Sequence, residues 1–300
     1  MKKTKKKTEG QKLRRNLEVI NGIREVHLDS WEQFSDHIKT EHSFCPALIY
    51  RGQGRADWPI VSKIDRIESQ FTQTPNRSGS IPRDFNCSPV DRYTHLRAFK
   101  EAARGRRGQN PPDLTEDQWW ALGQHHGLST PLLEWTRSPF VALFFAFEDE
   151  FIPDEKDHLT EPTHRAVFSV SASAISDGGE ANELEVPLPF SAFGETTPRI
   201  INQSGVFFRM PEKCDLEDYV TTHFKGECST DKGEKVRWIL EKVVIPNHDR
   251  QACLQQLNKM NINRMTLFPD LDGAARYVDA LWELEFDTSL GYIPDTLPGY

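Results

Sequence analysis

The clearest pattern of apolar and polar positions lies in the middle of the chain. Thr115 followed by Gln118 predicts a capping box at the start of a helix, and Gly127 suits the left-handed residue that ends it. A Thr-Pro step then favours an extended chain, and two leucines predict a buried strand. Ser138-Pro139 begins a second helix. Because that helix is apolar on almost every side, we expect it at the centre of the fold.

The rest of the chain alternates between strand and helix patterns without a regular rhythm. We expect strands over 17–27, 47–50, 166–170, 206–208 and 236–245, and helices over 30–39, 90–103, 247–257 and 273–283. Three polar stretches, about 69–89, 105–113 and 151–164, predict loops. This mixture predicts an α+β fold with a mixed sheet core and flanking helices.

The polar side chains that this pattern places beside the core are the candidates for a site. Glu134 and Thr136 lie on the predicted central strand, and Gln124 and His125 end the helix before it. Arg51 ends an earlier buried strand. All five would stand on rigid elements, which is how functional groups are usually held in place.

Each candidate also has a purely structural interpretation. Arg51 is suited to clamp a phosphate or carboxylate through its bidentate fork, or is an ordinary salt-bridged arginine at a strand end. His125 binds a substrate, or caps carbonyls at the helix end and keeps its proton through the helix dipole. Thr136 bonds a ribose hydroxyl, or caps the backbone before Ser138.

Two further expectations concern the surroundings of this strand. An ionised Glu134 between an apolar strand and an apolar helix is costly unless it is paired, so we expect a partner among Arg51, His125 and Arg137. Aromatic side chains beside such a helix belong to the core more often than they stack on a base. The tryptophans in question are Trp119, Trp120 and Trp135.

The sequence offers little for metal or nucleophilic chemistry. Cys214, His223 and Cys228 lack the close paired spacing of a structural zinc site, and His125-His126 are adjacent and point in different directions. We therefore expect no metal. The glycine-rich phosphate loops and the nucleophile elbow are also missing from the sequence.

Composition places the chain among cytoplasmic proteins. Of its 300 residues, 37% are hydrophobic and 27% are charged, and no apolar run approaches the length of a membrane helix. The five cysteines are scattered, which suits reduced thiols. We expect a flexible basic tail over 1–16 and one domain over 17–300, with no membrane partner.

Charge is concentrated at the N-terminus. Residues 1–15 hold eight lysines and arginines against Glu9 alone, which gives a net charge of +7. Since the whole chain has a net charge of −8, the remainder has a net charge of −15. One interpretation is a solvated end that aids solubility. The other is an arm that contacts nucleic acid or an anionic surface.

The central motif resembles that of a known family. The run GQHHGLSTPLLEWTRSPFVALFFA, together with the tripeptide Tyr50-Arg51-Gly52, is similar to the signature of the FRG domain, which is named for a Phe/Tyr-Arg-Gly tripeptide. The similarity extends from about Leu48 to Leu281. The chain departs from the family pattern at His126, Pro131 and Glu134, where an aromatic residue, an arginine and an aspartate are usual.

The resemblance implies a function as well as a fold. It suggests a fold similar to the ADP-ribosyltransferase class and an enzyme that uses NAD without a metal, as a bacterial toxin or phage-defence effector. Arg51, Gln124, His125 and Thr136 would bind the nucleotide, and Glu134 or Gln203 would stand near the oxocarbenium-like transition state. The target would be a protein or a nucleic acid. The alternative is a non-catalytic module that binds a nucleotide or nucleic acid.

Overall fold

The protein is built on one mixed sheet. The computed structural model describes residues 19–43, 47–73, 91–148, 161–177, 186–190, 198–224 and 238–285. Within these residues eight strands pair in the order β1-β2-β8-β5-β3-β4-β7-β6. The strands are β1 (Val19–Ile20), β2 (Ile23–His27), β3 (Leu48–Gln53), β4 (Leu132–Thr136), β5 (His164–Ser171), β6 (Leu188–Phe190), β7 (Gly205–Arg209) and β8 (Leu240–Pro246).

Helices flank this sheet and connect its strands. They are α1 (Gln33–His37), α2 (Lys63–Gln73), α3 (Arg92–Ala102), α4 (Glu116–His125), α5 (Pro139–Glu148), α6 (Ala172–Asp177), α7 (Pro198–Asn202), α8 (Leu216–His223), α9 (Arg250–Lys259), α10 (Arg264–Leu267) and α11 (Leu271–Glu285). A π-helix, Ile38–His42, follows α1 directly. Since β2 and β8 pair in parallel and the other strand pairs are antiparallel, the predicted α+β fold with a mixed sheet is confirmed.

The central stretch forms as its sequence predicts. Thr115 and Gln118 make both bonds of the capping box at the start of α4. Gly127 adopts a φ of +88°, the left-handed conformation expected after the helix. Pro139 is the first residue of α5, and Ala142, Ala146 and Phe147 within that helix are fully buried. The apolar helix therefore lies in the core, as predicted.

The two faces of the sheet carry separate apolar clusters. On one face α5 packs across β3 and against Leu254 and Leu257 of α9. On the other face Leu216 of α8 packs with Trp135 and Phe208. Trp120 belongs to a third buried cluster. The interpretation of Trp120 and Trp135 as core residues is confirmed, whereas Trp119 is partly exposed.

Three predicted elements need correction. The strand over 17–27 is a hairpin, β1 and β2, because Asn21 and Gly22 both adopt positive φ in the two-residue turn; Asn-Gly is the strongest sequence signal for such a turn. The helix expected over 30–39 starts at Gln33 and continues to His42 as a π-helix. Residues 69–73, which were expected in a loop, belong to α2, which runs to Gln73.

Some predictions fall outside the described residues. These are the tail over 1–16, the loop residues 74–89 and most of 151–164. The loop over 105–113 is free of helix and strand, as expected. Among the described residues, no helix is both long enough and apolar enough to cross a membrane.

Candidate functional site

A cleft opens where the two central strands separate. Strand β3 pairs with β5 along its whole length from Leu48 to Gln53, and β4 pairs with β7 along its whole length. Between β3 and β4, however, the described ladder holds one pair, Tyr50 with Thr136. Next to that pair, Arg51 on β3 and Trp135 on β4 are the first residues at which the two strands are no longer paired. The sheet thus divides at its centre into two hydrogen-bonded halves.

This cleft, which we call the central cleft, has a volume of about 190 Å³. Its walls come from both strands, from the C-terminal part of α5 and from the residues after α7. The lining residues are Tyr50, Arg51, Gly52, Glu134, Trp135, Thr136, Phe145, Glu148 and Gln203. It therefore combines a guanidinium, two carboxylates and three aromatic residues in one place.

Arg51 bridges the opening between the strands. Its Nη1 donates a hydrogen bond of 2.8 Å to the main-chain carbonyl of Glu134. That carbonyl lies on the stretch of β4 where the ladder with β3 has ended, so the guanidinium takes the place of a strand partner. Arg51 thus lines the cleft and also has a structural contact, and its role in binding a ligand stays a prediction.

Glu134 has a different environment from the one we expected. Its side chain is exposed, in a strand whose other residues are buried. The partner of its carboxylate is the side-chain amide of Gln124, at 2.9 Å, and Gln124 in turn accepts a hydrogen bond from the Thr130 hydroxyl. Of the partners expected among Arg51, His125 and Arg137, His125 is close enough for its charge to be attracted by the carboxylate. An exposed carboxylate is also hydrated and does not require an ion pair.

His125 lies in a small neighbouring pocket of about 30 Å³. This pocket shares Glu134, Trp135 and Gln203 with the central cleft and adds Arg199. Burial lowers the pKa of His125, and the positive charges of His126 and Arg199 lower it further. The lowered pKa disfavours the interpretation in which His125 only caps the helix end and keeps its proton, one of the two that the sequence left open.

Thr136 and Gln203 line the cleft and are connected by a hydrogen bond. The Thr136 hydroxyl donates to the Gln203 carbonyl at 2.6 Å and accepts from the Ser138 amide at 3.0 Å. The Gln203 side chain donates to the Leu267 carbonyl at 3.0 Å. Of the two interpretations of Thr136, the cap before Ser138 is the contact that is present. Both residues line the cleft, and their ligand roles stay predictions.

Sequence reasoning missed Glu148 as a site residue. This carboxylate ends α5, lines the central cleft and forms an ion pair with Arg264. Phe145, one turn earlier on the same helix face, lines the cleft beside it. The signal was present in the sequence, since a carboxylate three residues after a phenylalanine on an apolar helix shares its face. Which face of α5 meets β3, however, depends on the tertiary fold and is not visible in the sequence.

The described thiols do not offer a nucleophile. Burial raises the pKa of Cys214 to about 11 and that of Cys253 to about 12. At neutral pH both remain protonated, and a thiol is a poor nucleophile in that form. Any chemistry in the cleft would therefore rest on carboxylates, amides and the guanidinium.

Comparison with known families identifies this part of the chain. Residues 46–155 match the family model of the FRG domain. This segment is therefore similar to the FRG domain. It supplies β3, α4, β4 and α5, which carry the Tyr50-Arg51-Gly52 tripeptide and most of the central cleft. No curated protein and no solved structure matches the chain. The resemblance that we read beyond residue 155, in Arg199 to Gly205 and near Phe268, stays a prediction.

Proposed function

We propose that this protein is an NAD-using enzyme that cleaves the bond between nicotinamide and ribose. It would transfer ADP-ribose to a target, as an ADP-ribosyltransferase does, or to water, as an NAD glycohydrolase does. The observation that carries the proposal is the central cleft, where Arg51 and the carboxylates Glu134 and Glu148 line one opening between separated strands. The resemblance to the FRG family suggests a role as a toxin or phage-defence effector in the cytoplasm.

The residues of the cleft match the needs of this reaction. Arg51 supplies a planar, permanent positive charge for the pyrophosphate. The leaving of nicotinamide creates an oxocarbenium-like sugar, and a carboxylate held nearby stabilises its positive charge. Glu134 and Glu148 both line the cleft and are candidates for that carboxylate. Phe145 and Tyr50 offer aromatic surface for the nicotinamide ring.

The size of the cleft suggests how a dinucleotide would lie. Its volume of about 190 Å³ is below the roughly 300–1,000 Å³ of typical ligand pockets. It suits the reacting nicotinamide end alone. The rest of the dinucleotide would extend past Glu134 into the neighbouring pocket, where Arg199 and His125 stand. Arg199 would then meet a phosphate or the second ribose.

One observation favours the alternative, a module that binds a nucleotide or nucleic acid without chemistry. The Thr136 hydroxyl and the Glu134 carboxylate, both candidates for contacts to the ribose, are already bonded to protein groups. A site of this kind can recognise a ligand by shape and charge without taking part in a reaction. NAD or nucleotide binding in the absence of nicotinamide release would support this alternative.

The test measures nicotinamide release from NAD by chromatography, using the purified full chain with cell lysate as a pool of targets. We expect release without added metal. Arg51→Ala should lower kcat/KM by about ten- to a hundredfold, because a charge-assisted contact is worth roughly 1.5–3 kcal/mol. Arg51→Lys should recover part of the loss, since an ammonium lacks the fork.

The matched control is Arg104→Ala, which removes an exposed arginine outside the cleft. It should leave kcat/KM unchanged. Because Arg51 also bonds the Glu134 carbonyl, the thermal midpoint of each variant must be measured beside its activity. Absence of nicotinamide release together with absence of NAD binding would reject the enzyme.

A further inference from the structure

Two buried histidines converge on one buried glutamate outside the central cleft. His37 ends α1, His42 ends the π-helix, and Glu241 lies on β8 in the middle of the sheet. Their residues are 3%, 5% and 0% exposed, respectively. The two imidazoles approach Glu241 through Nε2, His37 at 3.2 Å from Oε1 and His42 at 2.6 Å from Oε2.

The π-helix is what brings the two imidazoles together. In a continuous α-helix, residues five apart point about 140° away from each other. A π-helix closes its turn between residues five apart, so His37 and His42 come to stand on the same side. Their ring centroids lie 5.2 Å apart. Since π-helical turns are rare and often found at functional sites, this turn points to a use for the pair.

We propose that His37, His42 and Glu241 bind a divalent transition-metal ion, with zinc as the first candidate. One ligand atom from each residue lies within 4.8 Å of the other two. Two imidazole nitrogens and one carboxylate oxygen are a ligand set that zinc takes, at distances of about 2.0–2.2 Å. Small shifts of the side chains would bring all three atoms to those distances. A water molecule would complete four-coordination.

Neighbouring groups are placed to orient the ligands. The Tyr50 hydroxyl lies 3.1 Å from Nδ1 of His42, on the side of the ring opposite Glu241. The Ser169 hydroxyl donates to Oε2 of Glu241 at 3.2 Å. In metal sites such partners fix the tautomer of the imidazole and the direction of the carboxylate. With its Nδ1 proton donated to Tyr50, His42 would present the lone pair of Nε2 to the ion.

The charge of the cluster leaves room for a cation. Arg24 forms ion pairs with both Glu241 and the partly exposed Glu41. With neutral imidazoles, two carboxylates therefore face one guanidinium, and the net charge is −1. Arg24 pairs with Oε1 of Glu241, so the ion would bind through Oε2, which also accepts the Ser169 hydroxyl. Arg24 is thus both a neighbour of the ion and its competitor for the carboxylate.

The role that follows is structural. An ion held by these residues would fasten the π-helix to β8, a strand inside the sheet. The spacing of the two histidines does not mark a metal site in the sequence. His-x4-His does not match the i, i+3 or i, i+4 spacing of ligands on an α-helix, and Glu241 is far away in the sequence.

The experiment measures zinc content and zinc affinity of the purified full chain. After removal of metal with a chelator and dialysis against zinc ions, we expect about one zinc per chain by mass spectrometry. The thermal midpoint should fall on chelation and recover with zinc. Cobalt ions in place of zinc should give the visible absorption bands of a tetrahedral site.

Substitutions separate an ion from a simple hydrogen-bond network. His37→Gln and His42→Gln keep an amide donor that can reach Glu241 but remove the metal ligand, so zinc should be lost. Tyr50→Phe should weaken zinc binding by about tenfold. Arg24→Met should retain zinc, because the competitor is removed. His95→Gln is the matched control, since His95 is half-buried and bonds the Ser129 carbonyl instead.

The proposal is overturned if the wild-type chain holds no more zinc than the His42→Gln variant, and if chelator and zinc leave its thermal midpoint unchanged. The three side chains would then form a hydrogen-bonded network alone. Zinc content does not depend on nicotinamide release, so either result is informative whether or not the chain acts on NAD.

Discussion

Gly52 lies directly beneath the backbone of Ala142. A Cβ atom built on Gly52 would stand 1.9 Å from the Ala142 carbonyl oxygen and 2.5 Å from the Ala146 nitrogen. Helix α5 therefore rests on β3 at the third position of the Tyr50-Arg51-Gly52 tripeptide. This gives a physical reason for glycine there: any side chain would push the central helix away from the sheet and move Phe145 and Glu148 out of the cleft.

Gly52→Ala should destabilise the protein by at least the roughly 1–3 kcal/mol typical of overpacking, because the obstructing atoms belong to a backbone that cannot turn aside. Urea denaturation followed by circular dichroism measures this. The control is Gly205→Ala, where the nearest atom to an added Cβ is a methyl group of Ile200 at 3.3 Å. If both substitutions have equal cost, the close packing of α5 on Gly52 is not what restricts this position.

The two carboxylates of the cleft can be told apart by amide substitution. We expect Glu134→Gln to lower kcat for nicotinamide release by about a hundredfold while leaving the thermal midpoint near that of the wild type, because the carboxylate is exposed. Glu148→Gln should also cost stability, since it breaks the ion pair with Arg264. A larger loss of kcat in Glu148→Gln, after correction for the folded fraction, would assign the catalytic carboxylate to Glu148.

The stability of the protein should depend on the protonation of His125. Because its pKa in the folded chain is lower than the ordinary value of 6.5, the folded state binds fewer protons than the unfolded state below that value. The contribution to stability is present above 6.5 and is lost as the pH falls through the folded pKa. Lowering the pH from about 7.5 to 5.5 should therefore lower the thermal midpoint more in the wild type than in His125→Asn.

An NMR titration of the His125 imidazole gives a direct check of the same prediction. A midpoint above 6.5 would contradict the lowered pKa. His126→Asn serves as a second comparison, because removing that neighbouring imidazole should raise the midpoint of His125 toward its ordinary value.

The basic tail can be tested separately from the cleft. If residues 1–15, with a net charge of +7, contact nucleic acid, their deletion should weaken binding. The slope of the logarithm of the affinity against the logarithm of the salt concentration should also become shallower, by the equivalent of up to about seven phosphate contacts. Fluorescence anisotropy with labelled DNA or RNA at several salt concentrations measures both. An unchanged slope would leave the tail as a solubilising segment.

Local features of the fold could be predicted because short-range chemistry determines them. The bonds between Thr115 and Gln118 and the positive φ of Gly127 follow from residues a few positions apart. The separation of β3 from β4 could not be predicted, because it depends on which strands pair. The same is true of Glu148, whose place in the cleft depends on the face that α5 turns toward Gly52.

Among the candidate residues, Arg51, Glu134, Thr136 and Gln203 do line one cleft, as a group of polar residues on rigid elements would. Their hydrogen-bond partners were harder to foresee. Glu134 accepts a hydrogen bond from Gln124, and its strand turns this one residue toward solvent. The convergence of His37 and His42 could not be predicted from the sequence. Residues at i and i+5 come together in a π-helix, and the apolar and polar pattern of a sequence does not indicate such a turn.

The arrangement of the sheet also bears on where the family segment can function. Strands β3 and β4 both lie within the matched residues 46–155, but their outer neighbours, β5 and β7, begin at His164 and Gly205. Cut out alone, the segment would present two unpaired strand edges, which are sites for aggregation. In this chain the two flanking strands that cover those edges, β5 and β7, come from outside the matched segment.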